Sequence, residues 1–388
     1  MFRRFQRSPL PAEEATTPKP NIVVIGGSYV GGSVVDQLAS SLHRTHNIVL
    51  IEKNSHIQHI ASLCLSPCKR CSRFSRTEPL FLSQTAFHAS PPGSTSVIHA
   101  IAEKILPGKV ILDNGQSISY EYLKAVETQR FRDLQQSIAK ASHITSHRGR
   151  RVWYPNCDGY QRLCVSRRRI TVIHSRPNLM SRFHPKLHEI VMEKFKAAGI
   201  ETILGQRVTI PEEGFPNNGS EFAIALADGT EVKTELAIVC IGAVPLSAPL
   251  LALSPSSVDP QTKYVKVKPT LQIADSNYPN VFAIGDVADT GAHKAARPGG
   301  MQARIASNNI EMLIKGKDLD LQTYYPDAPG IGLSLGFHSK VRFRNPSTPD
   351  GEPSWRQALK PFKTKGNMDA GCRKVWDRRA PGVKDYDL

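Results

Sequence analysis

The chain has 388 residues, enough for two or three domains with sizeable cores, and its 40% hydrophobic content includes no run long enough to cross a bilayer as a helix. A formal charge of +16 points first to a polyanion partner, yet half of it sits in two short stretches. Residues 61–85 carry a net +3 and residues 145–168 a net +5, and the same stretches hold five of the seven cysteines (Cys64, Cys68, Cys71, Cys157, Cys164), an odd and clustered count that argues against a secreted disulfide framework.

Residues 1–20 read as a flexible arm. Arg3, Arg4 and Arg7 have the flavour of a mitochondrial targeting signal, but such signals avoid acids and Glu13 and Glu14 are present; no signal peptide is expected. Residues 21–53 form the strongest unit. A β-branched run, Ile22 to Ile25, predicts a strand buried on both faces, and the turn Gly26-Gly27-Ser28-Tyr29-Val30-Gly31 follows at once. Val34, Val35 and Leu38 then recur at helical spacing, and a second apolar run, Ile48 to Ile51, ends in Glu52, 21 residues past Gly31. Strand, glycine turn, helix, strand and acid in that order are the pattern of a dinucleotide site. Gly26 permits the tight turn, Ser28 replaces the middle glycine where backbone approaches a pyrophosphate, and Gly31 lets helix and strand pack closely. The helix N-terminus offers N–H groups to the pyrophosphate, and Glu52 offers acceptors to a ribose diol. The alternative is an ordinary β-α-β unit whose glycines only turn the chain.

After His56 the pattern degrades into residues 61–85. Cys64, Cys68 and Cys71 there have the C-x3-C-x2-C spacing of an iron–sulfur site, though nothing else around them fits one. From Thr95 three short strands are expected, with a turn at Asp113 to Gly115. Beyond Tyr122-Leu123 an amphipathic helix is expected from Lys124 to Ile144, followed by the second atypical stretch. Regularity returns with a strand Ile170 to Ile173, a helix from Pro185 to about Ala198 stopped by Gly199, and another strand. A hairpin at Asp228-Gly229 and a buried strand Leu236 to Ile241 come next. Then comes Val281 to Asp289, in which a strand ends in Gly285 and Asp286. A helix is expected from about Gly300 to Lys315, opened by Met301 and Gln302, and past Asn345 a loosely held basic tail.

Gly285-Asp286 is the second motif. It places a carboxylate at the carboxyl end of a parallel sheet, where ligands bind in open α/β folds; the alternative is that Asp286 caps the turn after it. The N-terminal dipole of the helix that Met301 and Gln302 open would face an electron-rich ring, with His293 and Lys294 near it.

These segments, IGGSYVGG (25–32), IEKNSH (51–56), TVIHSRPNLMSRFHPKLHE (171–189), GIETILGQRV (199–208), VCIGAVP (239–245) and NVFAIGDVAD (280–289), resemble in order and spacing the two-dinucleotide-binding-domain flavoproteins, and most closely the apoptosis-inducing-factor-like branch that includes the ferroptosis-suppressor quinone reductases. The resemblance covers about two-thirds of the chain. It implies an α/β protein with two Rossmann-like domains built on parallel sheets, the second incomplete: an FAD domain in two halves (21–123 and 241–325), an NAD(P)H-binding-like domain between them (124–240) and a C-terminal segment (326–388). It further implies hydride transfer from NAD(P)H to FAD, and electrons then passing to a quinone or similar acceptor, in the cytoplasm with membrane-associated or mitochondrial location as alternatives. By position, Gly26, Gly27, Ser28 and Gly31 would hold the FAD pyrophosphate, Glu52 and Lys53 the adenosine ribose, and the backbone near Ala102 the adenine. Gly285 and Asp286 would hold the ribityl chain, with Met301 and Gln302 by the ring. No catalytic acid or base and no metal ligand is assigned.

The departures from that family are equally plain. Its second glycine fingerprint would fall near Arg148 to Arg151, where Gly149 stands alone, without a strand before it or a helix after it. A strand after Tyr122-Leu123 is also missing from the expected pattern, which would leave buried ladder groups unpaired at about 1–3 kcal/mol each. Either the chain has diverged and lost its nucleotide site, or residues 61–85 and 145–168 are out of frame. Ser175 and Arg176, which follow the strand end at His174, present no acid to repel a 2′-phosphate. A separate reading is a basic scaffold that docks DNA or an anionic membrane, although no stacking aromatics interleave the arginines.

Overall fold

The computed structural model describes residues 18–54, 56–57, 80–81, 91, 93–125, 143–147, 169–240, 245–335 and 339–359. Its first sheet is parallel. Strands β1 (Asn21–Ile25), β2 (Asn47–Glu52), β5 (Thr95–His99), β9 (Tyr122–Ala125) and β17 (Val281–Ala283) lie in the order β17-β9-β1-β2-β5. Helices α1 (Tyr29–Leu42) and α3 (Ala296–Ile314) cover one face, packing on Ile22, Val24, Ile48, Leu50 and Phe282. The antiparallel meander β6 (Ala102–Leu106), β7 (Lys109–Leu112) and β8 (Ser117–Ser119) covers the other, on Val23, Val49, Ile51 and Leu123. Burial on both faces is why these strands read as unbroken apolar runs. The meander turns at Asp113 to Gly115, as expected, with Gly115 at φ 82°.

Between α1 and α3 the packing leaves no room for a side chain at Gly299, where a methyl group would sit 2.5 Å from Val30 Cγ2. Gly299→Ala is therefore expected to lower unfolding free energy by about 1–3 kcal/mol through overpacking. An unchanged denaturation midpoint would show that the two helices are not in rigid contact.

Strand β9 corrects two sequence-based expectations. Lys124 does not open a helix; it continues the strand, level with Val24 of β1 and Phe282 of β17. Since β9 pairs with both neighbours, the predicted gap in the ladder is filled. The cost appears elsewhere: Lys124 is fully buried, its Nζ meets only the Ala303 carbonyl oxygen, at 3.4 Å, among the described residues, and burial holds its pKa well below the usual lysine value. The rest of the predicted helix, residues 126–142, lies outside the described residues.

The second sheet is also parallel, with β10 (His143–His147), β11 (Arg169–His174), β12 (Glu201–Leu204) and β15 (Leu236–Val239) in the order β12-β11-β10-β15. Helix α2 (Pro185–Ala197) packs on one face through Leu187, Ile190 and Val191, and the hairpin β13 (Phe222–Ala225) and β14 (Glu231–Thr234) on the other. Pro185 sits in the first turn of α2, His184 Nδ1 accepts the Lys186 N–H, and Gly199 ends the helix at φ 65°. Here β10 is a correction: a strand does precede Gly149, and Thr145 to His147 belong to it rather than to an atypical stretch. Within residues 61–85, Leu80–Phe81 (β4) pairs with His56–Ile57 (β3). Gly149 and Cys64, Cys68, Cys71, Cys157 and Cys164 lie outside the described residues. Strand β15 stops at Val239, two residues short of the predicted end, and residues 241–244 are likewise outside.

The C-terminal region is not simply a tail. Strands β19 (Gly330–Ser334), β20 (Ser339–Arg344) and β21 (Ser354–Leu359) form an antiparallel sheet whose Leu333, Val341 and Phe343 join the core of the second sheet. Asn345 ties it down, accepting the His184 N–H at 2.9 Å and donating to the Arg182 carbonyl at 3.1 Å. No described helix is long and apolar enough to cross a membrane. Among the described residues no group of three or more His, Cys, Asp or Glu could hold a metal ion.

Candidate functional site

The parallel order of the first sheet sets the carboxyl ends of β2, β1, β9 and β17 side by side, so segments some 230 residues apart in sequence reach one edge. Three inter-strand steps separate β2 from β17, roughly 14 Å in all, the scale of an extended dinucleotide lying across the sheet.

At the β2 end the chain leaves β1 through Gly26, whose φ of 96° only glycine adopts readily, and whose N–H donates to the Ile51 carbonyl at 2.8 Å. Ser28 is the N-cap of α1, with extended backbone and no side-chain cap bond, and the first turn contains no acid. That end of the helix is open to an anion. Gly31 is buried in the first turn. Glu52 is 4% exposed; one carboxylate oxygen accepts the Gly27 N–H at 2.5 Å, and the other accepts the Asn54 N–H at 2.9 Å and Nδ2 at 2.8 Å. A carboxylate has about four acceptor positions, so one remains for a hydroxyl. Asn54 is a partner the sequence reading did not single out, although an Asn two residues past an acid at a strand end is a legible signal for a side chain that reaches back.

Beside this turn lies a cavity of about 90 Å³ that brings together Gly26, Glu52, Lys53 and Ala102, walled by apolar residues such as Ile51, Leu123 and Leu250. Four of the predicted cofactor residues therefore line one space. Gly27, Ser28 and Gly31 carry on from it into α1.

At the other end β17 gives way to Gly285 (φ 69°) and a 3₁₀ turn, Gly285–Val287, with Asp286 exposed in it. The N-cap position of that turn is Ile284. Helix α3 begins at Ala296, four residues before the predicted start, because Pro298 falls in the first turn, where it has no intrahelical N–H bond to lose. Met301 and Gln302 therefore stand in the second turn, not at the N-terminus, and the ring-facing dipole is not theirs to supply. Met301 packs against the α1 core. Gln302, 2% exposed, accepts the Gly285 N–H at 2.8 Å and donates to Thr290 Oγ1 at 3.0 Å.

His293 and Lys294 sit between the domains. The His293 ring meets Phe183 edge-on at 6.2 Å, and Phe183 meets Phe343 at 6.3 Å. Lys294 Nζ donates to the Ala288 carbonyl and lies 4.5 Å over the Tyr264 ring; burial lowers its pKa, and Asp286 and Asp289 partly restore it. On the second sheet, Arg176 extends beyond β11, exposed, donating to Ser181 Oγ at 2.5 Å.

Residues 156–309 match the pyridine nucleotide-disulphide oxidoreductase family. Over 361 residues the chain is 25% identical to apoptosis-inducing factor homolog B of Dictyostelium discoideum, covering 83% of this chain and 88% of that one. Over 174 residues it is 33% identical to ferroptosis suppressor protein 1 of Mus musculus, covering 44% and 45%. Over these lengths the chain is similar to apoptosis-inducing-factor-like pyridine nucleotide oxidoreductases. Among solved structures, the sulfide:quinone oxidoreductase of Aquifex aeolicus shares its fold, with a TM-score of 0.69 at 16% identity over 93% of this chain and 91% of that one. The residues at the carboxyl edge of the first sheet fit a flavin nucleotide. The open α1 terminus, the positive φ at Gly26, the buried carboxylate with an acceptor to spare and the cavity against Lys53 and Ala102 are what a pyrophosphate and an adenosine require.

Proposed function

We propose that this chain is a cytoplasmic, FAD-dependent oxidoreductase that takes electrons from NAD(P)H and delivers them to a quinone-like acceptor, with peripheral contact to a membrane. The observation that carries the reading is the placement of Glu52 and Asp286, from two distant halves of the chain, along one carboxyl edge of one sheet, at the end of β2 and just beyond β17. In this reading α1 and Ser28 hold the pyrophosphate, Glu52 and Lys53 the adenosine ribose, the Ala102 backbone the adenine, and Gly285 and Asp286 the ribityl chain. Bound FAD would supply the hydride acceptor and the onward electron carrier. The protein's part is to bind, orient and exclude water; Phe183 links the His293 ring to Phe343 through edge-on contacts.

In this reading the first FAD segment would run through Ala125, so as to include β9. NAD(P)H would dock at the carboxyl ends of β10 and β11, where Arg176 can face a 2′-phosphate. A single Gly149 in place of a full fingerprint predicts weak nucleotide binding and so impaired hydride entry.

The visible spectrum of the purified protein, before and after anaerobic NADPH, tests this. A flavin band that bleaches supports the oxidoreductase. A band that persists leaves a flavoprotein without a working nicotinamide site, and no band at all overturns the reading.

A second reading, a scaffold for DNA or an anionic membrane, draws on one observation. With Val341 and Phe343 facing the core, strand alternation turns Lys340, Arg342 and Arg344 to the other face of β20, and Arg356 of β21 lies directly beside Arg342. No acid is within ion-pair distance of these four among the described residues. Binding of flavin-free protein to polyanions that falls steeply with salt would favour it.

A further inference from the structure

We propose that Gln302 is a positioning residue that locks the two separate halves of the flavin site to each other through α3. The proposal rests on the flavin reading above and adds to it the element that fixes the distance between the halves. Gly26 to Gly31 and Gly285-Asp286 are remote in sequence, and α3 touches both. Gly299 meets Val30 of α1 too closely for any side chain. Three residues on, and so on a neighbouring position of the same helical face, Gln302 accepts the Gly285 N–H.

The Gln302 side chain is held at both ends. Its Oε1 is on Gly285 and its Nε2 is on Thr290. It is buried, so it acts through Gly285 and does not itself reach a flavin ring. Gly285 occupies the left-handed region, and its N–H is buried. A buried N–H without an acceptor is costly, so the amide oxygen of Gln302 selects this backbone turn, and the turn aims Asp286. A shift of α3 on α1 would then be felt at Asp286.

The test is FAD titration of flavin-free wild type, Q302M and Q302E, followed by flavin fluorescence, together with amide hydrogen exchange of the segment 281–289. Met keeps the volume and removes the acceptor; Glu keeps an acceptor oxygen. Q302M is expected to bind FAD about tenfold more weakly, with faster exchange at 281–289, and Q302E to stay within about threefold of wild type. Equal affinity of Q302M and wild type overturns the proposal, and so does an equal loss in both variants, which would mark a packing role alone. Should Q302M not fold, Thr290→Val releases the far end of the amide; about threefold weaker binding supports the proposal and unchanged affinity overturns it. A wild type that takes up no FAD is a different result, since it overturns the flavin reading and the proposal with it.

Discussion

Lys124→Leu is expected to stabilise the protein by about 1–3 kcal/mol at neutral pH, the range by which a buried donor left short of hydrogen-bond partners destabilises a fold. Lys124 is fully buried in the middle of a sheet, beside Val24 and Phe282, and its one hydrogen-bond partner among the described residues, the Ala303 carbonyl, is distant for such a bond. Desolvation is the cause of its lowered pKa, and no nearby carboxylate offsets it. Burial therefore favours the neutral amine in the folded protein, whereas the unfolded chain holds an ammonium with a pKa of about 10.4. Between those two values the unfolded state carries more protons, so wild-type stability rises with pH across that window, by up to about 1.4 kcal/mol per pH unit. Leucine has no such dependence, and the advantage of the variant should shrink as pH climbs toward 10. Urea denaturation of both proteins at pH 7 and pH 9 checks this; a variant less stable than wild type, or a pH-independent difference, would show that Lys124 is satisfied where it lies.

The same residue explains why part of the fold was hidden in the sequence. The elements that were legible announce themselves by composition: the β-branched runs of β1 and β2, the glycines between β1 and α1, and the Asp228-Gly229 turn. Strand β9 does not, because a lysine interrupts its short apolar run and an amphipathic helical pattern begins there. Strand β10 does not either. Its Thr145 and Ser146 are fully buried with no hydrogen-bond partner for either hydroxyl among the described residues, so it looks polar while sitting in the centre of a sheet. Strand β21 was obscured by the prolines and charges around it, though its pairing with β20 runs six residues. At the site, strand-end positions were readable because glycine and acid are forced there by chemistry. The role of Gln302 was not, since a glutamine in a helix carries no periodic signal and its partner, Gly285, is 17 residues away.

Glu52→Ala is expected to raise the dissociation constant for FAD at least about a hundredfold, near 2.7 kcal/mol. The size follows from the number of bonds that converge on one buried carboxylate. Gly27 and Asn54 together donate three hydrogen bonds to it, and bonds to a charged group contribute about 1.5–3 kcal/mol each. With alanine, the Gly27 N–H at the start of the glycine turn loses its acceptor, and the loop from Lys53 to Asn54 loses its anchor. Part of the loss will therefore appear without cofactor, as a lower unfolding free energy of the flavin-free protein, and the rest as weaker FAD binding once the ribose has lost its acceptor. Glu52→Gln separates the two. One amide oxygen can still receive Asn54, but the NH₂ group would face the Gly27 N–H, donor against donor, so the glycine turn should loosen while the loop holds. Flavin fluorescence titration and chemical denaturation of wild type and both variants read the two contributions apart. Should Glu52→Ala bind FAD as wild type does, Glu52 only braces the turn, and the adenosine must be held by Lys53 and the Ala102 wall of the cavity instead.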